Sequence, residues 1–185
     1  MTARAVVLVE GLSDRLAVEA LAQRRGRDLA AEGVTVVAMG GATNIGSYLE
    51  RFGPRGLDVA VAGLCDEAEA LVFQRNLERA GFGSNLTRAE MEDHRFFVCV
   101  EDLEDELIGA LGVAAVEKIL AAQGELKLFR LFQQQPAQHG KSDRARLRRF
   151  MGTRSGRKIR YAPLLVRALD LAHVPAPLDR LIAHV

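Results

Sequence analysis

The stretch Ala5-Val6-Val7-Leu8-Val9-Glu10-Gly11-Leu12-Ser13-Asp14 decides the fold. Five apolar residues in succession suit a strand covered on both faces, as in a parallel sheet. Gly11 lets the chain turn sharply, and Ser13 or Asp14 supplies an oxygen to cap a helix continuing through Arg15-Leu16-Ala17-Val18. Glu10 then stands at the carboxyl end of a parallel strand, where open α/β sheets keep their ligand crevice. Asp14 follows one helical turn later and can point at the same spot. Two carboxylates there make a candidate metal site.

Working outward, the alternation of strand and helix repeats. A helix is expected from about Ser13 to Arg24. Val34-Thr35-Val36-Val37-Ala38-Met39 is a second β-branched run, closed by Gly40-Gly41. Ala42–Phe52 reads as a helix, with Ile45 and Leu49 four apart on one face. Gly53-Pro54-Arg55-Gly56 is a turn. Asp58–Leu64 is a third buried strand that delivers Asp66 just past its end, and a helix from about Glu67 to Ala80 follows. Phe96-Phe97-Val98-Cys99-Val100 is a fourth strand, running into the acidic stretch Glu101–Glu106. Strand, crossover helix and strand in repetition predict a mainly parallel sheet with right-handed crossovers. After Leu107 the pattern turns helical: Leu111–Ala122, Leu126–Gln134, Ala145–Met151 and Ala162–Leu171. The expected organisation is an α/β core over 1–110, with about four strands, and a helical, basic extension over 111–185 packed on it.

The 185 residues suit one domain with such an appendage, and 49% hydrophobic residues suffice for a core without reaching membrane composition. No apolar run approaches a spanning helix and no signal peptide opens the chain, so a cytoplasmic protein with no membrane partner is expected. Cys65 and Cys99 have neither CxxC nor Cys/His spacing and read as small buried hydrophobes in a reduced compartment. The histidines His94, His139, His173 and His184 are scattered without ligand spacing. Gly41 and Gly46 have Walker A spacing, but Ser47 stands where a lysine is required, which excludes a P-loop ATPase.

Net charge is only +1, but it is unevenly spread. Eight acids fall between Glu90 and Glu106. Between Lys141 and Arg160 lie Lys141, Arg144, Arg146, Arg148, Arg149, Arg154, Arg157, Lys158 and Arg160 against the single acid Asp143. So pure a basic segment favours a polyanionic partner. Arg144, Arg148, Arg149, Arg154, Arg157 and Arg160 are the candidate backbone-gripping residues, and such contacts are sequence-independent and salt-sensitive. Aromatic residues are 5% of the chain and Trp is absent, so base stacking is a minor contributor.

Three strands end in acid: Glu10 after the first, Asp66 after the third, and Asp102 with Glu104 after the fourth. In a parallel sheet these ends share one edge. Converging carboxylates repel one another, and an oxygen-only set without nearby His or Cys favours Mg²⁺ or Mn²⁺ over zinc. Capping a helix is the competing role for Asp14, Asp66 and Asp102. Glu10, before a glycine turn, would be an odd cap.

The run Val7–Asp14, the Gly40-Gly41 pair and the aspartate after the third strand resemble a TOPRIM domain. That fold is shared by topoisomerases, bacterial primases, recombination mediators and the overcoming lysogenization defect (OLD) nucleases. Asp14 at the helix start, Asp102-Leu103-Glu104 and a lysine near the C-terminus resemble the OLD type most closely. The resemblance implies a TOPRIM-like α/β fold and a metal-dependent nuclease that hydrolyses phosphodiester bonds in DNA, with RNA left open. It implies that Glu10, Asp14 and Asp66 hold one ion and that Asp102 and Glu104 help hold a second. It also implies that Lys158 stabilises charge at the scissile phosphate, with Glu10 and Lys158 as the catalytic pair. The implied mechanism uses two Mg²⁺ or Mn²⁺ ions. One departure is visible. The family's D-x-D would place an aspartate two residues after Asp66, and Ala68 stands there, with Glu67 and Glu69 as the available stand-ins.

OLD proteins resemble this chain only in their nuclease half, which leaves room for a separate ATPase partner; a homodimer is a further expectation. The competing function is a non-catalytic TOPRIM module that binds nucleic acid or scaffolds a repair or phage-defence complex. A topoisomerase would need a tyrosine nucleophile, and Tyr48 and Tyr161 lie in no recognisable context. A receiver-like phosphoacceptor domain would be shorter and lack the basic tail.

Overall fold

A computed structural model describes residues 3–185. The five apolar residues form β1 (Ala5–Val9), and all five are buried. β1 lies between β2 (Val34–Ala38) and β3 (Ala60–Asp66), with β4 (Phe96–Cys99) beyond β3. The four strands pair in parallel in the order β2-β1-β3-β4. Alternate residues of β1 serve two cores. Ala5, Val7 and Val9 face α1 (Leu12–Arg24), whereas Val6 and Leu8 face Ile45 and Leu49 of α2 (Ile45–Phe52) and Phe73 and Leu77 of α3 (Ala70–Ala80). Cover on both faces is why the strand has no polar alternation.

The chain then adds α4 (Arg88–Asp93), α5 (Leu103–Leu111), α6 (Val113–Ala122), α7 (Leu126–Gln133), α8 (Asp143–Gly152), α9 (Arg157–Ala168) and α10 (Ala176–Ala183). Leu147 and Phe150 of α8, Leu165 of α9 and Leu178 of α10 join the α1 face of the sheet in one hydrophobic core. Arg24 of α1 fastens this layer by donating to the Val166 and Leu169 carbonyls at 2.9 and 2.6 Å. None of the helices among the described residues is long and apolar enough to cross a membrane.

Local details depart from the sequence expectations in ways that bear on the site. α1 starts at Leu12, with Gly11 as the extended N-cap (φ −132°). Asp14 therefore does not cap from outside; it sits inside the first turn and accepts the Gly11 N–H at 2.8 Å. β3 runs on to Asp66, so that acid is the strand's last residue. The helix expected over Leu111–Ala122 is α6, starting at Val113: Leu111 closes α5, and Gly112 between them adopts φ +76°, which a side chain would disfavour. The acidic stretch Glu101–Glu106 is mostly the first turn of α5, where negative charge suits the helix dipole. α9 begins at Arg157 rather than Ala162, and Pro163 lies within it. The basic segment has no apolar period to reveal that turn.

Candidate metal centre

Strand order puts a topological switch between β1 and β3, since the chain leaves β1 toward β2 and then crosses back to β3. Ligand crevices of open α/β sheets lie outside the carboxyl ends at such a switch. The register pairs Val9 with Leu64, so Glu10 and, one residue further on, Asp66 leave the two strands at the same rim. The Gly40 and Gly41 N–H groups donate to the Glu10 carbonyl at 3.0 and 3.2 Å. With φ of +75° and +131°, this glycine pair tethers the backbone beneath Glu10 and leaves its carboxylate pointing free. The pair thus serves as a turn; its two amides are spent on that carbonyl.

The electrostatics show the acids to be neighbours. Burial, then the charges of Asp14, Asp102, Glu10 and Glu104, push the Asp66 carboxyl up to about 7. Burial and Glu104, with a smaller push from Glu10, raise Asp14 to about 6 against the opposing Gly11 N–H and Lys158. Glu10 is also raised, by burial first and then by Glu69 and Glu104, with Lys158 opposing. Neither the Glu10 nor the Asp66 carboxylate accepts a hydrogen bond among the described residues. Like-charged oxygens repel, and as they stand no three Asp, Glu, His or Cys among the described residues close tightly enough around one point to grip an ion. The acids surround the crevice without collapsing into it. Donor chemistry fits a hard divalent cation: oxygen only, anionic and short of donors.

Glu104, on α5, is 4% exposed and faces this group. Its Oε2 accepts from Lys158 Nζ at 2.9 Å, and the same ammonium stands 3.7 Å from Asp102 Oδ2. Burial alone would lower Lys158, but Glu104, then Asp102 and Asp66, outweigh it and hold its pKa above the ordinary value. Asp102 is differently placed. It is the N-cap of α5, with Oδ1 accepting the Asp105 N–H and Oδ2 accepting Arg148 Nε, both at 2.8 Å. The structure therefore gathers Glu10, Asp14, Asp66, Glu104 and Lys158, with Asp102 on the rim and already doubly bonded.

Glu69 joins the group, a residue the sequence left level with Glu67. The turn Glu67–Glu69 brings Glu69 toward Glu10, while Glu67 is exposed and paired with Arg88 at 2.8 Å. The signal was the three-residue spacing from Asp66, which puts both acids on one side of a helical turn.

The basic segment divides sharply. Arg144 clasps Asp105 at 2.9 and 2.5 Å, and Arg148 bridges Asp102 and Glu101. Arg160 donates to Gln123 at 2.6 Å. Arg157 corrects the expectation of a phosphate contact. It is 7% exposed, pairs with Glu125 at 3.1 Å, donates to the Phe150 carbonyl and Thr153 Oγ1, and stacks 3.9 Å over the Phe150 ring. Thr153 is spent in the same cluster, donating to the Phe150 carbonyl at 2.8 Å. Arg149 and Arg154 are exposed and have no acidic partner among the described residues.

Known proteins share the sequence pattern of the first third and the fold of nearly the whole chain. Residues 1–67 match the sequence model of the overcoming lysogenization defect protein-like TOPRIM domain. The chain superposes on the C-terminal region of the Xanthomonas campestris pv. campestris OLD protein with TM-score 0.77 at 24% identity, covering 99% of this chain and 92% of that one. A second structure of that region gives 0.71 at 27% identity, covering 98% and 93%. The C-terminal region of the Burkholderia pseudomallei OLD protein gives 0.75 at 21% identity, covering 99% and 97%. No curated protein sequence matches the chain. Residues 1–67 thus match the OLD-like TOPRIM model, and nearly the whole chain shares the fold of OLD C-terminal regions.

Proposed function

We propose that the protein is a metal-dependent nuclease that hydrolyses phosphodiester bonds in DNA. The observation carrying this reading is the set of half-buried, mutually repelling carboxylates at the β1/β3 switch, backed by the buried Glu104, in which the Glu10 and Asp66 carboxylates have no hydrogen-bond donor among the described residues. Glu10, Asp14 and Asp66 would hold one divalent ion, with Glu69 replacing the acid missing at Ala68. Glu104, assisted by Asp102 where Arg148 yields it, would hold a second. Bound Mg²⁺ or Mn²⁺ would supply charge neutralisation and a metal-bound, more acidic water as nucleophile. Lys158 keeps its proton at Nζ through the physiological range and sets a fixed positive charge beside Glu104. That charge suits the negative charge developing on phosphoryl oxygens.

One observation favours a non-catalytic, DNA-binding role instead: Ala68 removes a carboxylate from the crevice. The two roles separate in a plasmid nicking assay with Mg²⁺, Mn²⁺ or EDTA on wild type, Glu10→Ala and Lys158→Ala. Metal-dependent nicking lost in both variants supports the nuclease. Plasmid binding without nicking in any metal transfers the assignment to the non-catalytic module.

A further inference from the structure

A cavity of about 550 Å³ opens between α8 and the start of α9, lined by Asp102, Lys141, Arg148, Arg149, Thr153 and Lys158 among others. It shares Asp102 and Lys158 with the candidate metal centre, so the two are continuous. Four cations and one acid line it, and the charges are not equally committed. Arg148 already neutralises Asp102, and Lys158 is held by Glu104. Lys141 and Arg149 are exposed, have no acidic partner among the described residues, and form the surplus positive charge. The Thr153 hydroxyl donates inward to Phe150 and the Lys141 ammonium makes only a long 3.5 Å bond to Gln138 Oε1, so the charge left to compensate is that of the ammonium and the Arg149 guanidinium. A second cavity, of about 540 Å³ along edge strand β2, holds none of the candidate residues.

We infer that this cavity is a pocket for a backbone phosphate of the DNA, next to the one beside Lys158, gripped by Lys141 and Arg149. It rests on the proposed nucleic-acid function and narrows it. The basic segment does not act as a broad sheath of arginines, because Arg144, Arg148, Arg157 and Arg160 are turned to the protein's own groups. It offers a compact foothold one step from the carboxylates. A guanidinium and an ammonium suit a phosphodiester, the first by its fork of donors and the second as a point charge.

The test is fluorescence anisotropy of a labelled duplex oligonucleotide with the full chain, in EDTA, across 50 to 200 mM salt. Both side chains are exposed, so the double variant Lys141→Ala/Arg149→Ala should keep its fold, which a thermal melt checks. Weakened binding is expected, with the slope of log K against log salt shallower by about 2. Arg130→Ala, which lies on α7 and pairs with Glu117, serves as the control and should leave the slope alone. An unchanged slope and affinity in the double variant overturns the pocket, as does the absence of any wild-type binding. Loss of inorganic phosphate binding with DNA affinity intact overturns it too, since the pocket would then serve free phosphate. Because no metal is present, a catalytically dead protein can still pass, and an active nuclease with an unchanged slope fails the pocket alone.

Discussion

At the carboxyl edge of β1 and β3, Glu10 and Asp66 stand without a donor, their charges opposed by burial and by each other. On α8 and α9, thirty or more residues from their partners, Arg144, Arg148 and Arg157 each reach an acid across the fold. Both regions are dense in charge, yet one is left unsatisfied and the other is resolved internally. Crowded, half-buried like charges cost stability, and the first region meets that cost with raised carboxyl pKa values, which a bound cation would also relieve. The second needs nothing from outside. Charge count in the sequence could not separate them; partner geometry does.

Removing a member of each region should have opposite consequences. Glu10→Ala is expected to abolish metal-dependent nicking while leaving the melting temperature level or higher, since it relieves repulsion. Lys158→Ala should slow nicking by on the order of 10²–10³-fold. Nicking by Glu10→Ala at the wild-type rate would erase the contrast between the regions. Arg157→Ala acts on the other side. It leaves Glu125 buried and unpaired, so a loss of about 3–5 kcal/mol is expected, read as a fall of on the order of 10 °C in Tm. A Tm within a degree of wild type would show that the Arg157 cluster is not buried as described.

The pH dependence sharpens the same contrast. The folded-state pKa of Asp66 is raised to about 7, so the folded protein binds the proton more tightly than the unfolded chain. Relative to Asp66→Asn, the metal-free wild type should therefore lose stability as pH rises from about 4 to about 7, and level off above. Denaturant melts at pH 5 and pH 8 check this; a stability difference that does not change between them contradicts the repulsive cluster. The smallest effect belongs to Arg160→Ala, at an exposed bond to Gln123. It should shift stability by no more than about 0.5 kcal/mol and leave the salt slope of DNA binding unchanged.

Much of this was legible from the chain. The apolar run Ala5–Val9 and its relatives identify buried parallel strands, and strand ends carrying Glu10, Asp66 and Glu104 place acids on one rim, because period and position are local properties. What stayed hidden was non-local. Arg157 meets Glu125 across 32 intervening steps of chain, and no spacing rule links them. Asp102 carries the same letter whether it binds metal or caps α5 and holds Arg148. Glu69 was hinted at by its spacing from Asp66, but what takes Glu67 out of contention is Arg88, which no local pattern reveals.

The most direct measurement is a calorimetric titration of Mn²⁺ into the metal-free protein near pH 6.5, in two buffers of different ionisation enthalpy, for wild type and Asp66→Asn. Saturable binding is predicted for wild type, with proton release as Asp66 and Asp14 ionise, and lost or much weaker binding for the variant. Equal binding by both proteins, or none by either, would contradict a cation site at the β1/β3 switch.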